Sequence, residues 1–362
     1  MPEIRHVLQE IPKSELHVHL RGAMPVEVLA ELLNRQPIDQ ALGSAPPGHR
    51  AWFERCANIR PFLTPRKWSI EEVSGLFRYD SFNQFLITYY LTRYLVRDAS
   101  DLRRLVAGVL ENLRSQNVVY AEITIALEGY LRQGIPLESV KACLEEGAKL
   151  NGVRVQWIVD LIRDLGRDGT LALLDKIFDL RCESIVGITL GGSEPLFPPA
   201  QFSEAYAKAR EHGLRLTVHA GESAGPESVR EAIRELGAER IGHGVRAIED
   251  GELVAYLAEN QIPLEVCPTS NLRTGVYPSY EAHPVKALFE AGVPITINSD
   301  DPTFFGTTLA EEYAHVHEMG VPVEGIYEMI RNGFRYAFLP ESDIERYLGE
   351  LEKEWERLLS RR

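Results

Sequence analysis

Short apolar, β-branched runs recur along this chain, and between them the apolar positions return every three or four residues. Runs of this length, bounded by Gly, Pro, Asn or charged residues, predict strands, and the 3.6-residue spacing between them predicts helices facing a common core. The first run lies in Pro12-Lys13-Ser14-Glu15-Leu16-His17-Val18-His19-Leu20-Arg21-Gly22; the others cover 118–125, 153–162, 185–190, 214–219, the very short 240–242, 263–267 and 294–298. Helices are predicted over 25–35, 81–94, 100–116, 137–151, 170–179, 202–213, 225–236, 250–260 and 283–291. After the last strand the chain reads as helical, and 341–362 forms a charged amphipathic helix expected on the outside. Eight strands alternating with helices predict an α/β fold, a single (β/α)8 TIM barrel over 1–362. A doubly wound sheet is the main competitor, but no G-x-G-x-x-G follows the first strand.

One stretch departs from the alternation. Residues 36–68 are rich in Pro and Gly, which breaks periodicity and predicts an insertion or lid after the first strand. Within it, residues 48–68 carry Arg50, Arg55, Arg60, Arg66 and Lys67 against Glu54 alone, interleaved with Trp52, Phe53, Phe62 and Trp68. A solvated helical excursion packed by its aromatics explains this patch as well as a lid does.

Composition narrows the class. With 44% apolar and 25% charged residues the chain has the profile of a globular protein. A net charge of −14 and no long Lys/Arg run exclude nucleic acid and anionic membrane as natural partners. Cys56, Cys143, Cys182 and Cys267 are scattered and form no C-x-x-C pair, as expected of reduced thiols rather than a disulfide framework. The N-terminal MPEIRHVLQEIPKSE is too polar for a signal peptide, and no apolar run reaches the length of a membrane span. A soluble, cytoplasmic protein is expected.

The chemistry-bearing residues gather at the carboxyl ends of the predicted strands, the face on which barrels build their sites. His17 and His19 lie in the first strand, Gly191 and Gly192 follow the fourth, His219 to Glu222 follow the fifth, His243 closes the sixth, and Asp300 and Asp301 follow the eighth. Side chains at i and i+2 of a strand point the same way, so both rings of the H-x-H pair can reach one ion. A lone strand-end histidine is more often a structural hydrogen-bonder; several such placements at one end of one barrel are not. His17, His19, His219 and Asp300 offer three nitrogens and one oxygen, a set suited to zinc and to zinc-assisted hydrolysis. Asp300 can also hydrogen-bond the attacking water, His243 can serve as base or electrostatic orienter, and Glu222 as proton donor. No lysine ends the fourth strand to bridge two metals, so one Zn2+ per chain is expected.

PKSELHVHLRGA, TVHAGE, RIGHGV, EVCPTSN and NSDDP resemble the successive signatures of the adenosine deaminase family, in that family's order, over residues 11 to 340. The resemblance implies a zinc-dependent barrel of the amidohydrolase type that replaces the 6-amino group of a purine nucleoside by oxygen and releases ammonia. It implies His17, His19, His219 and Asp300 as zinc ligands, Glu222 as the acid for the ring nitrogen beside the attacked carbon, and His243 as stabiliser of the hydroxide. Asp301 would bond the imidazole-side ring nitrogen, and the backbone N–H of Gly192 in TLGGSE the opposite edge of the base. One position departs from the pattern: Arg21 stands where adenosine deaminases usually carry the Asp that bonds the ribose 5′-hydroxyl. Arginine cannot accept that proton but can clamp a carboxylate or phosphate. The expected substrate is therefore an adenosine with an anionic 5′ group, aminodeoxyfutalosine fitting the description and AMP or N6-methyl-AMP competing. The alternative is that Arg21 pairs with a neighbouring acid and plain adenosine is accepted.

Other classes fit less well. A non-catalytic purine-binding protein on the same scaffold would lack a ligand or the proton donor, yet all are present. A hydrolase of amides or phosphoesters is disfavoured by the single-metal set and by Glu222 with Asp301, a pair suited to ring nitrogens. The H-x-E and P-C-x-x-C pattern of cytidine-type deaminases is absent.

Overall fold

The structure, a computed structural model, describes residues 4–35, 38, 42–44, 47–64, 66–79, 82–150 and 152–360. All eight expected strands form: β1 Lys13–His19, β2 Val118–Ile125, β3 Arg154–Asp160, β4 Ile185–Thr189, β5 Arg215–Ala220, β6 Arg240–His243, β7 Leu264–Val266 and β8 Ile295–Ile297. They are parallel and lie side by side in chain order, with helices between them. The end of β8 returns to β1. A bridge joins Val18 to Asp300, His19 N donates to Asp300 O at 2.9 Å, and Asp300 N donates to His17 O at 3.0 Å. That closure makes the sheet a (β/α)8 barrel, and it is made by the residues that carry the candidate chemistry.

The helices form where apolar periodicity and caps coincide. Ala99–Ser115 starts on Asp98, whose side chain accepts from Asp101 N, and buries Leu102, Leu105, Val106, Val109, Leu110 and Leu113 along one stripe. The terminal helix Glu341–Ser360 lies on the outside of the barrel as expected, burying Tyr347, Leu351, Trp355 and Leu358. Tyr347 stacks on Phe334 and Trp355 on Tyr327, at 5.2 and 4.5 Å between ring centres.

Three features differ from the sequence pattern. β3 ends at Asp160, two residues early, because that carboxylate accepts Ile162 N (2.9 Å) and Gly191 N (2.8 Å) and turns the chain out of the ladder. A short helix follows β7 at Pro268–Arg273, opened by a proline whose missing N–H costs nothing in a first turn; the helix Pro302–Phe305 after β8 opens the same way and falls in the stretch expected to be helical. In the segment expected as an insertion, residues 36, 37, 39–41, 45, 46 and 65 lie outside the described residues. Its described part holds a helix, Pro47–Arg55, and a single turn, Arg60–Leu63, with Phe53, Phe62 and Trp68 buried and Trp52 exposed. No helix among the described residues is long and apolar enough to cross a membrane, and all four cysteines are free and buried.

The barrel interior is crossed by charge where branched apolar side chains usually fill it. Arg240 on β6 donates from Nε to Glu265 Oε1 on β7 (2.6 Å), from Nη2 to Glu122 Oε2 on β2 (2.5 Å) and from Nη1 to Tyr336 O (2.8 Å). Its guanidinium lies 3.7 Å from the centre of the Phe338 ring. Glu122 Oε1 also accepts from Tyr120 OH (2.8 Å) and Phe338 N (2.5 Å). Every member of this network is buried and satisfied, the condition under which buried ions are tolerated.

Lys13, at the start of β1, is buried, and its Nζ donates to Leu8 O (2.7 Å) and Ile11 O (2.8 Å). Burial lowers its pKa from 10.5 to about 7. Between these values the unfolded chain keeps a proton on Lys13 that the folded chain has lost, so unfolding takes up a proton and stability rises with pH. Denaturant unfolding of the native protein should gain roughly 1 kcal/mol per pH unit from this group between about pH 8 and 10. Lys13→Met should remove that slope; equal slopes in both proteins would contradict the assignment.

Candidate active site

The histidines and acids at the strand ends converge at the carboxyl-end mouth of the barrel. His17 and His19, two apart on β1, bring their rings to 5.5 Å, and His17 lies 4.5 Å from His219 and 4.8 Å from His243. His17 Nδ1 meets Glu265 Oε2 at 2.8 Å. Despite burial, Arg240 and His17 hold Glu265 down to about 2, so the carboxylate is charged and accepts a hydrogen bond from Nδ1–H. The lone pair of His17 therefore sits on Nε2, which is buried and has no hydrogen-bond partner among the described residues. Carboxylate, imidazole and open nitrogen in line is the arrangement that fixes and strengthens a metal-binding histidine.

The other donors close on the same point. His19 Nε2 lies 3.3 Å from His219 Nε2 and 3.2 Å from Asp300 Oδ1, which is 3.8 Å from His17 Nε2. His219 is fixed from behind by Thr189 Oγ1, 2.9 Å from its Nδ1. Burial, and then the neighbouring imidazoles, push the His219 pKa well below the usual histidine value; burial also lowers that of His17. Both are thus neutral with lone pairs to give. Burial opposes charge on His19 as well, but Asp300 and Asp301 outweigh it and raise its pKa to about 9. Facing imidazole nitrogens and a carboxylate around an orphaned His17 Nε2 call for positive charge at their centre. Three nitrogens and one oxygen fit zinc.

His17, His219 and His243 also bring ligand atoms within 4.8 Å of one another, as do His17, Cys267 and Asp300. A hydrogen-bond chain separates His243 from the ligands. Val285 N donates to His283 Nδ1 (3.2 Å), so His283, its pKa lowered to about 3 by burial, carries its proton on Nε2 and gives it to Asn271 Oδ1 (3.1 Å). Asn271 then presents its NH2 to His243 Nδ1 (3.2 Å). Neutral His243 keeps its proton on Nε2, 3.7 Å from Glu222 Oε2 and 3.9 Å from Asp300 Oδ2. Of the two roles expected for His243, this tautomer suits the orienting donor and not the base.

Strain is stored here as well. His243 and Asp300 have φ of 59° and 62°, left-handed values unusual for residues other than glycine and worth about 1–3 kcal/mol each. The bonds of Asp300 to β1, and the donation of Ser270 Oγ to its Oδ2 at 2.6 Å, hold it in place.

Glu222 faces the cluster from the loop after β5. Burial, then the charges of Asp300 and Glu194, raise its pKa. Glu194 anchors that loop: its carboxylate accepts Gly221 N (2.6 Å), Glu222 N (3.2 Å), Ser223 N (2.8 Å) and Ala224 N (2.8 Å). Asp301 is buried with Oδ1 unpartnered, and burial, then the charge of Asp300, raise its pKa to about 7. Gly22 packs so closely that a Cβ there would fall 1.6 Å from Asp301 Oδ1. Gly192 has φ 103° and lies against Asp164; its N–H makes no hydrogen bond among the described residues.

Arg21 projects beside this cluster, its guanidinium 4.0 Å over the Tyr89 ring, and has no ion pair among the described residues. The pairing with a neighbouring acid considered from sequence is not made there. Sequence reasoning missed Glu122, Glu194, Arg240, Glu265, Asn271 and His283. The signal available was a charged residue inside an apolar strand run, in VVYAEITI, RIGH and PLEVC.

Residues 12–354 match the model of the adenosine deaminase family. The chain is 31% identical to an adenine deaminase of Geotalea uraniireducens, over 97% of this chain and 93% of that one. It is 33% identical to an aminodeoxyfutalosine deaminase of Streptomyces avermitilis, over the same shares. An amidohydrolase of Burkholderia ambifaria, solved with bound Zn, superposes with a TM-score of 0.79 at 26% identity, over 98% of this chain and 94% of that one.

Proposed function

Because the chain belongs to the adenosine deaminase family, we propose that it is a zinc-dependent aminohydrolase converting a 6-aminopurine, carried as a nucleoside, to the 6-oxo compound and ammonia. The observation that carries the reading is the convergence of His17 Nε2, His19 Nε2, His219 Nε2 and Asp300 on one point beside Glu222 and His243. Those four residues would hold zinc, which when bound would supply Lewis acidity that makes hydroxide available near neutral pH.

The protein's own groups do the rest. Glu222, whose pKa is raised by burial and by Asp300 and Glu194 nearby, gives a proton to the ring nitrogen adjoining the amino-bearing carbon. That carbon becomes tetrahedral as a hydroxyl oxygen is added; the hydroxyl proton passes to the amino nitrogen, and the C–N bond breaks to release ammonia as the C=O bond forms. His243 orients the attacking oxygen through Nε2–H, and Asn271 with His283 keeps its proton on that nitrogen. Asp301 Oδ1 and the Gly192 N–H, both without internal partners, take the two edges of the purine.

Free adenine is a second reading, favoured by the relative named adenine deaminase at 31% identity. Ammonia release from adenine, adenosine, aminodeoxyfutalosine and N6-methyl-AMP, compared by kcat/KM at one zinc content, tests both. A nucleoside should exceed adenine; adenine well ahead of every nucleoside would replace the first reading with the second.

A further inference from the structure

One turn carries both a proposed zinc ligand, His219, and the proposed proton donor, Glu222, and side chains from other loops hold it. The chain reverses at Gly221, whose φ is 68° and where a Cβ would fall 2.5 Å from Val229 Cγ2, so glycine is required. The carbonyls are taken one after another. His219 O accepts from Arg163 Nη2, Ala220 O from Gly244 N (3.0 Å) and Gly221 O from Arg246 N (2.9 Å). The next four amides, 221 to 224, have no backbone acceptor among the described residues, and all four donate to the one carboxylate of Glu194. Successive N–H groups aimed at one point make a nest for an anion, and here the protein fills it with its own side chain.

Arg163 and Glu194 are both buried, and they belong together. Arg163 also donates from Nη1 to Phe197 O (2.7 Å), three residues beyond Glu194. Burial lowers the proton affinity of Arg163, and the charge of Glu194 does most to raise it again. The loop after β4 that supplies Glu194 is itself pinned on either side of Gly192. Gly191 N donates to Asp160 Oδ1 (2.8 Å) and Gly191 O accepts Arg163 N (2.8 Å), while Ser193 N and Oγ donate to Asp164 (2.9 and 2.6 Å). Gly192 and Glu194, two apart, thus tie both proposed contacts to the base to one loop: Gly192 N–H directly, Glu222 through its own amide.

We propose that Arg163 and Glu194 are positioning residues that clamp the turn 219–224 from both ends, fixing the reach from the metal ligand His219 to the proton donor Glu222. The proposal rests on the deaminase reading and deepens it by naming what holds the acid in line with the base. Without Glu194 four buried donors lose their acceptor at once, and the turn must shift to satisfy them. A reacting group misplaced by about 1 Å can cost about 100-fold in rate.

Amide exchange of the native chain gives the first test. Amides 221–224 should exchange far more slowly than an exposed loop, although no ladder protects them; exchange as fast as an exposed loop would overturn the clamp. In Glu194→Gln that protection should fall, and kcat should drop by about 10- to 100-fold, with KM and zinc affinity changed by less than about 3-fold. Glu194→Asp, which keeps the charge, should recover part of the loss, and it carries the same tests if the glutamine variant does not fold. Arg163→Lys should instead weaken zinc, measured by competition with a chelator, because its bond is to the carbonyl of the ligand His219; unchanged zinc affinity would overturn that half of the clamp. The decisive comparison adds Glu222→Gln to Glu194→Gln. A residue that acts through Glu222 has nothing left to act on, so the double variant should stay within about 3-fold of Glu222→Gln alone. Losses that multiply, or native kcat in Glu194→Gln, would overturn the proposal. If protection at 221–224 follows Glu194 while no form of the chain releases ammonia from a 6-aminopurine, the clamp stands and the deaminase reading falls.

Discussion

Glu222→Gln is expected to lower kcat by about 10²–10⁴-fold, the usual contribution of a positioned general acid, with zinc content unchanged. Glutamine keeps the shape of the side chain and can still donate a hydrogen bond, but it has no proton to transfer. Among the described residues of the site the other acid with a raised pKa, Asp301, is proposed to meet the far edge of the purine and not the nitrogen beside the amino-bearing carbon. Asp300 is drawn to the histidines and held well below the usual carboxylate range. The pH profile supplies a second check. Burial raises the Glu222 pKa, so its protonated form survives to higher pH than an ordinary glutamic acid, and activity should fall as pH rises through the raised value. Residual activity within a few-fold of native, with the same alkaline limb, would remove Glu222 from the reaction.

Arg240→Met should cost about 3–5 kcal/mol of stability, the penalty for leaving buried charge without its counter-ion. Two carboxylates, Glu122 and Glu265, lose their cation at once, and Tyr336 O loses its donor. The damage should reach the site, because Glu265 is also what aligns His17. A Glu265 that takes up a proton in place of Arg240 is a poorer partner for His17 Nδ1, so zinc should bind about 10–100-fold more weakly. Urea unfolding of the metal-free protein measures the first effect and competition with a chelator the second. Adding Glu122→Gln should recover part of the lost stability by removing one stranded charge. A loss under about 1 kcal/mol would mean that the network does not hold the barrel interior together.

These two residues mark where the sequence can and cannot be read. β2 could be bounded at Val118 and Ile125 because a β-branched run between helical spacings is a local signal. The site histidines and acids were legible because they fall at strand ends in an order that matches a family. Arg240 and Glu122 were not, since a charge inside an apolar run is uninterpretable until its partner, 118 positions away, is known. The same holds for the tautomer of His243, which depends on a chain through Asn271 and His283 to Val285 N. Glu194 lay in plain view within TLGGSE, but its four backbone partners sit on a different loop. The short helix that Pro268 opens follows from cap geometry that periodicity does not sense.

The most direct test of the account is a zinc titration of the metal-stripped protein, followed by ammonia release from a 6-aminopurine nucleoside. The account predicts no turnover without metal, a linear rise with added zinc, and a plateau at one ion per chain. Undiminished turnover by the stripped protein, or no ammonia from any 6-aminopurine once a full equivalent of zinc is bound, would contradict it.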